Sequence, residues 1–180
     1  MVGRLITGVV LVSVAGISLA GCGGKDPKTA ADGPEVAWAG RVCSAVGAGG
    51  AKLTLPHLDP KNPQKQKESL IVFLGTVSTQ LKTLKTSLEG QGAPQVTGGK
   101  ASYDRALSNL SETQAGVDSA ATSLRASKVS DPASLKHALD GVGKSLVKFS
   151  AYEGPSKDLR TNPELNKAFT KAPACQRIHQ

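Results

Sequence analysis

Three long stretches of the chain place an apolar residue at every third or fourth position. Leu70, Leu74, Val77, Leu81, Leu84 and Leu88 step by 4, 3, 4, 3 and 4 residues. That is one stripe on an α-helix, at the heptad spacing of a bundle seam, and it predicts a helix over about 63–89. Gly90-Gln91-Gly92 followed by Pro94 is a natural stop. Tyr103, Leu107, Leu110, Gln114, Val117, Ala121 and Leu124 repeat the stepping over about 100–127. Ser130-Asp131-Pro132 then supplies an N-cap with proline at the first helical position, and Leu135, Leu139, Val142, Leu146 and Phe149 form the stripe of a helix over about 132–152. Gly154-Pro155 breaks it.

Shorter signals lie on either side. A first helix is expected over about 34–46, with Val36, Val42, Cys43 and Val46 near one face and Trp38 close by; Gly47–Gly50 ends it. Residues 51–62 form an irregular linker whose leucines at 53, 55 and 58 lie against the domain. Asn162-Pro163-Glu164 starts a short last helix that runs to about Lys171, burying Leu165 and Phe169, and Pro173 stops it. No useful length alternates with period 2, so no sheet is expected. Short connections between the long helices favour antiparallel neighbours. The expected fold is all-α: an antiparallel four-helix bundle plus a short C-terminal helix, occupying residues 34–180.

The N-terminus follows a different pattern. After Arg4, residues Leu5 to Ala20 are apolar or small, and no acidic residue occurs before Asp26. This is the layout of a signal peptide. The run is about the minimum length for a membrane span, but a cysteine at the cleavage point weighs against an uncleaved anchor. Leu19-Ala20-Gly21-Cys22 resembles the lipobox of bacterial lipoproteins. The resemblance implies that residues 1–21 are removed and that Cys22 receives a diacylglycerol thioether. Cys22 would then hold the chain to the extracytoplasmic face of a cell membrane. Residues 22–33 would form a lipidated tether, since Gly23–Gly33 has no large apolar residue. More loosely, Trp38, Cys43, Asn162-Pro163-Glu164-Leu165 and Cys175 are similar in placement to residues of small helical lipoproteins and secreted proteins of actinobacteria. Most of those have no assigned activity, so that likeness implies no function.

Export changes the meaning of the cysteines. With Cys22 accounted for by lipid, Cys43 and Cys175 remain, and an even pair in an exported protein reads as a disulfide. His179 lies four residues after Cys175, a possible metal-ligand spacing, but no second ligand pair accompanies it and there is no C-x-x-C. The formal charge of the chain is +8. Such a balance suits anionic lipid headgroups or an anionic wall polymer. The export signal, the scarcity of aromatics and the lack of an arginine-rich tract argue against nucleic acid.

Catalytic chemistry finds little footing. His137 falls opposite the apolar stripe of its helix, and His57-Leu58-Asp59 reads either as two metal ligands or as a capped turn before Pro60. There is no G-x-S-x-G elbow, and a disulfide would leave no thiol nucleophile. Residues 54, 134 and 176, three before each histidine, are Thr, Ser and Gln, so the Glu-x-x-His di-iron pattern is absent. C-x-x-C-H is absent, Met1 is the single methionine, and no phosphate-binding glycine loop occurs. Neither a catalytic set, a metal nor a cofactor is expected.

Two features bear on binding. Gln114 interrupts an apolar stripe; it either sets helix register, or contacts a ligand held near Tyr103 and Ala121, with Gly116 and Ala120 leaving room. Phe73, Phe149 and Tyr152 could line the same space or fill it. Lys136, Lys144 and Lys148 share a face with Asp140, and Lys82 and Lys85 share another; such lysines ordinarily form a solvated face, and they make one basic surface only if the two faces are adjacent. The expected function is that of a membrane-anchored, non-enzymatic interaction module whose partner is an envelope protein or anionic polymer. The alternative is a carrier of a lipid or other apolar molecule between the helices.

Overall fold

The two longest apolar stripes pack against each other. In the computed structural model, which describes residues 33–50 and 61–177 together with positions 54, 56 and 59, they become α2 (Pro63–Gln91) and α3 (Gly99–Ala126). Around them lie α1 (Gly33–Gly50), α4 (Pro132–Leu146), α5 (Pro155–Arg160), α6 (Pro163–Lys171) and α7 (Pro173–Gln176), with a 3-10 turn at Val147–Phe149. Among the described residues there is no strand. The fold is the expected all-α helical bundle, with its C-terminal part divided among short helices. No described helix is long and apolar enough to cross a membrane. Residues 1–32, including Cys22, lie outside the described residues, as do His57, His179 and the linker leucines.

Local sequence sets the helix ends. Pro63 and Pro132 occupy first turns, where a missing N–H costs nothing. The Asn62 side chain accepts from the Lys65 amide at 3.0 Å. Asp131 and Ser134 form a reciprocal capping box: Asp131 Oδ1 accepts from the Ser134 amide at 2.8 Å, and Ser134 Oγ accepts from the Asp131 amide at 3.1 Å. Backbone and side-chain hydrogen bonds to that carboxylate hold Asp131 below the usual aspartate range. Gly98 precedes α3 at φ +69°, a left-handed conformation that glycine adopts without a steric penalty.

The register of α2 against α3 is antiparallel. Tyr103 donates its phenol hydrogen to the Leu88 carbonyl at 3.1 Å, near the connecting loop. At the opposite end, Lys67 Nζ donates to the carbonyls of Arg125 and Ser127 at 3.0 and 2.6 Å, satisfying the last turn of α3. Along this pair the apolar side chains gather in two clusters. The first joins Leu88, Tyr103, Ala106 and Leu110 to α1, α5, α6 and α7. The second joins Leu74, Val117, Ala120, Ala121 and Leu124 to Val129 and α4. Leu81 packs against both.

Four boundaries differ from the sequence expectation. Helix α1 continues through Gly47 to Gly50 despite the weak helix propensity of glycine. The α4 segment tightens to 3-10 geometry after Leu146 and turns at Ser150, placing the Phe149 ring over Gly116. Pro155 and Pro173, read as breaks, also begin helices, each as the first residue of the next.

Cys43 and Cys175 are bonded, with Cα atoms 5.0 Å apart and 132 positions between them in sequence. Both are almost fully buried. Closing so long a loop removes conformational entropy from the unfolded chain worth about 5 kcal/mol in the loop-closure model, comparable with the whole stability of about 5–15 kcal/mol of an ordinary domain.

Two glycines test the packing in opposite directions. A Cβ on Gly116 would lie 1.9 Å from Phe149 Cε2, so Gly116→Ala displaces the ring and destabilises by about 1–3 kcal/mol. Gly141 is exposed in the interior of α4 with nothing within 4 Å of its Cβ position. Gly141→Ala stabilises by about 0.5–1 kcal/mol. Thermal unfolding of the two variants beside the parent checks both signs.

Candidate functional site

Tyr103 and Ala121 occupy different apolar clusters, so the structure does not bring them together. Tyr103 is 8 % exposed and its hydroxyl is engaged by the Leu88 carbonyl. Ala121 packs among Val117, Ala120, Leu124 and α4. Gln114 is half-buried on α3, between Leu110 of the first cluster and Val117 of the second. The room left by Gly116 is taken by Phe149.

A recess of about 720 Å³ lies between the second half of α1 and α2. Ala45 and Ala48 form one side; Val72, Gly75, Thr76, Thr79, Gln80 and Thr83 form much of the other. Three of its threonines turn their hydroxyls back to their own helix. Thr76 donates to the Val72 carbonyl, Thr79 to Gly75 and Thr83 to Thr79, at 2.9–3.0 Å. With those oxygens engaged, the γ-methyls dominate the outer surface, and none of the described lining residues is charged. Val72 is 69 % exposed here, and Gln80 Oε1 is buried without a hydrogen-bond partner. The recess can hold an apolar group by shape and dispersion, with one acceptor in its wall. The sequence carries a faint sign of this face: no charge occupies 72, 75, 76, 79, 80 or 83. The leucine stripe on the opposite side dominates the periodicity and hides it.

A second polar group sits between α3 and α5. Asn109 Nδ2 donates to Asp158 Oδ1 at 3.0 Å. Asp158 Oδ2, Tyr152 Oη and Ser156 Oγ are buried without hydrogen-bond partners. Burial, followed by the Asp158 charge, raises the Tyr152 phenol well above its ordinary value. Burial and the neighbouring Glu89 charge raise Tyr103 as well. The residues on α5 had no sequence signal, because that helix is a single turn and a half outside any stripe.

The lysine faces are held by local ion pairs. Lys85 meets Glu89 at 2.6 Å, and Asp140 reaches back to Lys136 at 2.9 Å while Lys144 lies farther along the face. All are partly or largely exposed, so each pair contributes little stability. His137 is exposed on α4. Among the described residues, no group of three or more His, Cys, Asp or Glu side chains could hold a metal ion. No protein-family model, curated protein or solved structure matches the chain.

The raised phenols have a definite consequence. Their folded pKa values lie above the unfolded value of about 10, so the folded state holds these protons more tightly. The stability they contribute is complete below about pH 10 and is lost as pH rises from there toward the folded values. Tyr103 and Tyr152 are the two tyrosines of the chain. Phenolate absorbance should therefore stay low above pH 10 until the protein unfolds, and Tyr152→Phe should flatten the alkaline fall in melting temperature. An ordinary phenolate titration in the folded protein would contradict this.

Proposed function

We propose that the chain is a cell-envelope lipoprotein whose helical domain serves as a binding module rather than an enzyme. Leu19-Ala20-Gly21-Cys22 at the end of an apolar run carries the reading. Cleavage before Cys22 and acylation of its sulfur would leave a tether of eleven residues before α1 begins at Gly33. A chain of that length reaches at most about 36–40 Å, enough to stand the domain off a lipid surface while keeping it there. A disulfide between distant, buried cysteines supports the same reading, since such bonds persist in oxidising extracytoplasmic compartments.

Binding is preferred to catalysis because the residues with distinctive placement suit contact rather than bond-making. The uncharged recess between α1 and α2 and the exposed lysines of α4 offer shape and charge. The partner would be an envelope protein or an anionic polymer, reached from the anchoring membrane. Positive charge raises the local concentration of an anionic partner and its rate of encounter.

Cys22→Ser tests the anchor directly. The variant should lose incorporation of labelled fatty acid, leave the membrane fraction and fail to reach mature length. Continued acylation of Cys22→Ser would refute lipidation at this residue. Crosslinking of the anchored chain in intact cells should capture a protein or polymer that the released variant does not.

A further inference from the structure

We propose that the chain is built as two cooperative units on one α2–α3 spine, and that Cys43–Cys175 is a redox latch that holds the first unit closed. The first unit is α1 with α5, α6 and α7 around the loop end of the spine; the second is α4 with the other end. Their apolar clusters meet only through Leu81 among the described residues.

A polar level separates them. Tyr103 meets Leu88, and Lys67 meets Arg125, so the antiparallel register sets Gln114 beside Val77 and Ser78. Gln114 is the polar break in the α3 stripe, and Ser78 is one of the few buried polar residues. Apolar packing is therefore thinnest where the clusters join, and cooperativity between them is weakest there.

The first unit depends on being docked. Helices α5, α6 and α7 have 6, 9 and 4 residues, below the roughly 12–15 residues at which an isolated helix is even marginal in water. Helix α1 carries Gly33, Gly40, Gly47, Gly49 and Gly50, and it buries Val36, Trp38, Ala39, Val42 and Cys43. It packs on α2, α6 and α7, and the disulfide is the only covalent link between it and the C-terminal helices besides the long course of the chain. With the cysteines reduced, the same contacts are held by the apolar side chains of the first cluster alone, without the restriction that the closed loop places on the unfolded chain. The second unit contains neither cysteine, so the redox state leaves it unchanged.

Closing the latch oxidises two thiols. Each Sγ loses a proton, two electrons leave the pair, and one S–S bond forms. A disulfide-bearing oxidoreductase accepts the electrons by thiol–disulfide exchange and becomes a dithiol. Cys175 follows Cys43 by 132 positions, so the whole intervening chain must be delivered before the two can meet. The first unit thus stays open in a reducing compartment and closes in an oxidising one. Placing closure after export rests on the lipoprotein reading; the two-unit latch does not.

Hydrogen–deuterium exchange on the full chain in detergent tests the latch. The oxidised protein is compared with the same protein after dithiol reduction and with a Cys43→Ala/Cys175→Ala variant. Amides of α1, α5, α6 and α7 should exchange about tenfold faster or more once the bond is gone, while α4 and the second half of α3 keep their protection. Trp38, the single tryptophan, lies in the first unit, so its emission should shift to the red in step. Equal loss of protection in both units, or none in either, would overturn the proposal. Thiol alkylation in intact cells tests the export clause separately: blocked cysteines support it, and freely alkylated ones refute it without touching the exchange result.

Discussion

The antiparallel register of α2 on α3 is the constraint from which the other contacts follow. It is fixed at both ends by side chains that reach a carbonyl of the opposite helix or its cap, Tyr103 at one end and Lys67 at the other. Once set, it places Leu88 beside Tyr103 and Leu110 in a hollow that α1 and α6 fill, and Leu74 near Val117 and Leu124 in a hollow that α4 fills. A slip by one residue would turn each stripe about 100° and open both hollows to water. Asn162 ties the C-terminal helices to the same frame. Its amide donates to the Thr97 carbonyl at 2.7 Å in the α2–α3 loop, while its oxygen caps α6 through the amides of Glu164 and Leu165. One side chain thus starts a helix and sets where it docks.

The long helices were legible because each carries its signal many times over. The stripe of α2 repeats through six apolar positions, and every one of them reaches a cluster. The capping sequence Ser130-Asp131-Pro132 marked the start of α4 to the residue. The disulfide was legible from counting, since only two cysteines remain after Cys22. What escaped was information that belongs to tertiary contact. Proline both ends one helix and begins the next, and Gly154-Pro155 and Pro173 do not say which until their neighbours have something to pack on. Gly47–Gly50 looks like a terminator, yet α1 runs on through it to Gly50. The recess beside Thr76, Thr79 and Thr83 was invisible because threonine counts as polar in a periodicity. Only the hydrogen bonds to the preceding turn show that its methyl is the outward group.

Gln114 shows how one residue can be read correctly in place and variously in role. The stripe predicted its position on the inner side of α3, and the structure leaves it half-buried between Leu110 and Val117. Its significance comes from the residues on either side, which belong to different clusters. A leucine there would extend both clusters toward each other. An amide thins the apolar packing at that level without breaking the helix, because glutamine is a good helix former.

The composition explains why such a fold carries a long-range covalent bond. Aromatic residues make up 3 % of the chain, and both clusters include alanines: Ala39, Ala106, Ala168 and Ala172 in the first, Ala120, Ala121 and Ala138 in the second. Alanine permits helices to approach closely but buries few methylenes, each worth about 0.8 kcal/mol. The larger groups, Trp38, Phe169, Leu159 and Leu165, gather near the start of α1 and α6, where Trp38 meets the Phe169 ring edge-on at 6.3 Å and donates to the Gly92 carbonyl at 3.0 Å. Farther along α1, Cys43 joins Cys175 of α7 inside the same cluster, beside Ala39 and Val42. The bond closes a loop of 132 positions, and it is that length which sets how much chain entropy the unfolded state loses.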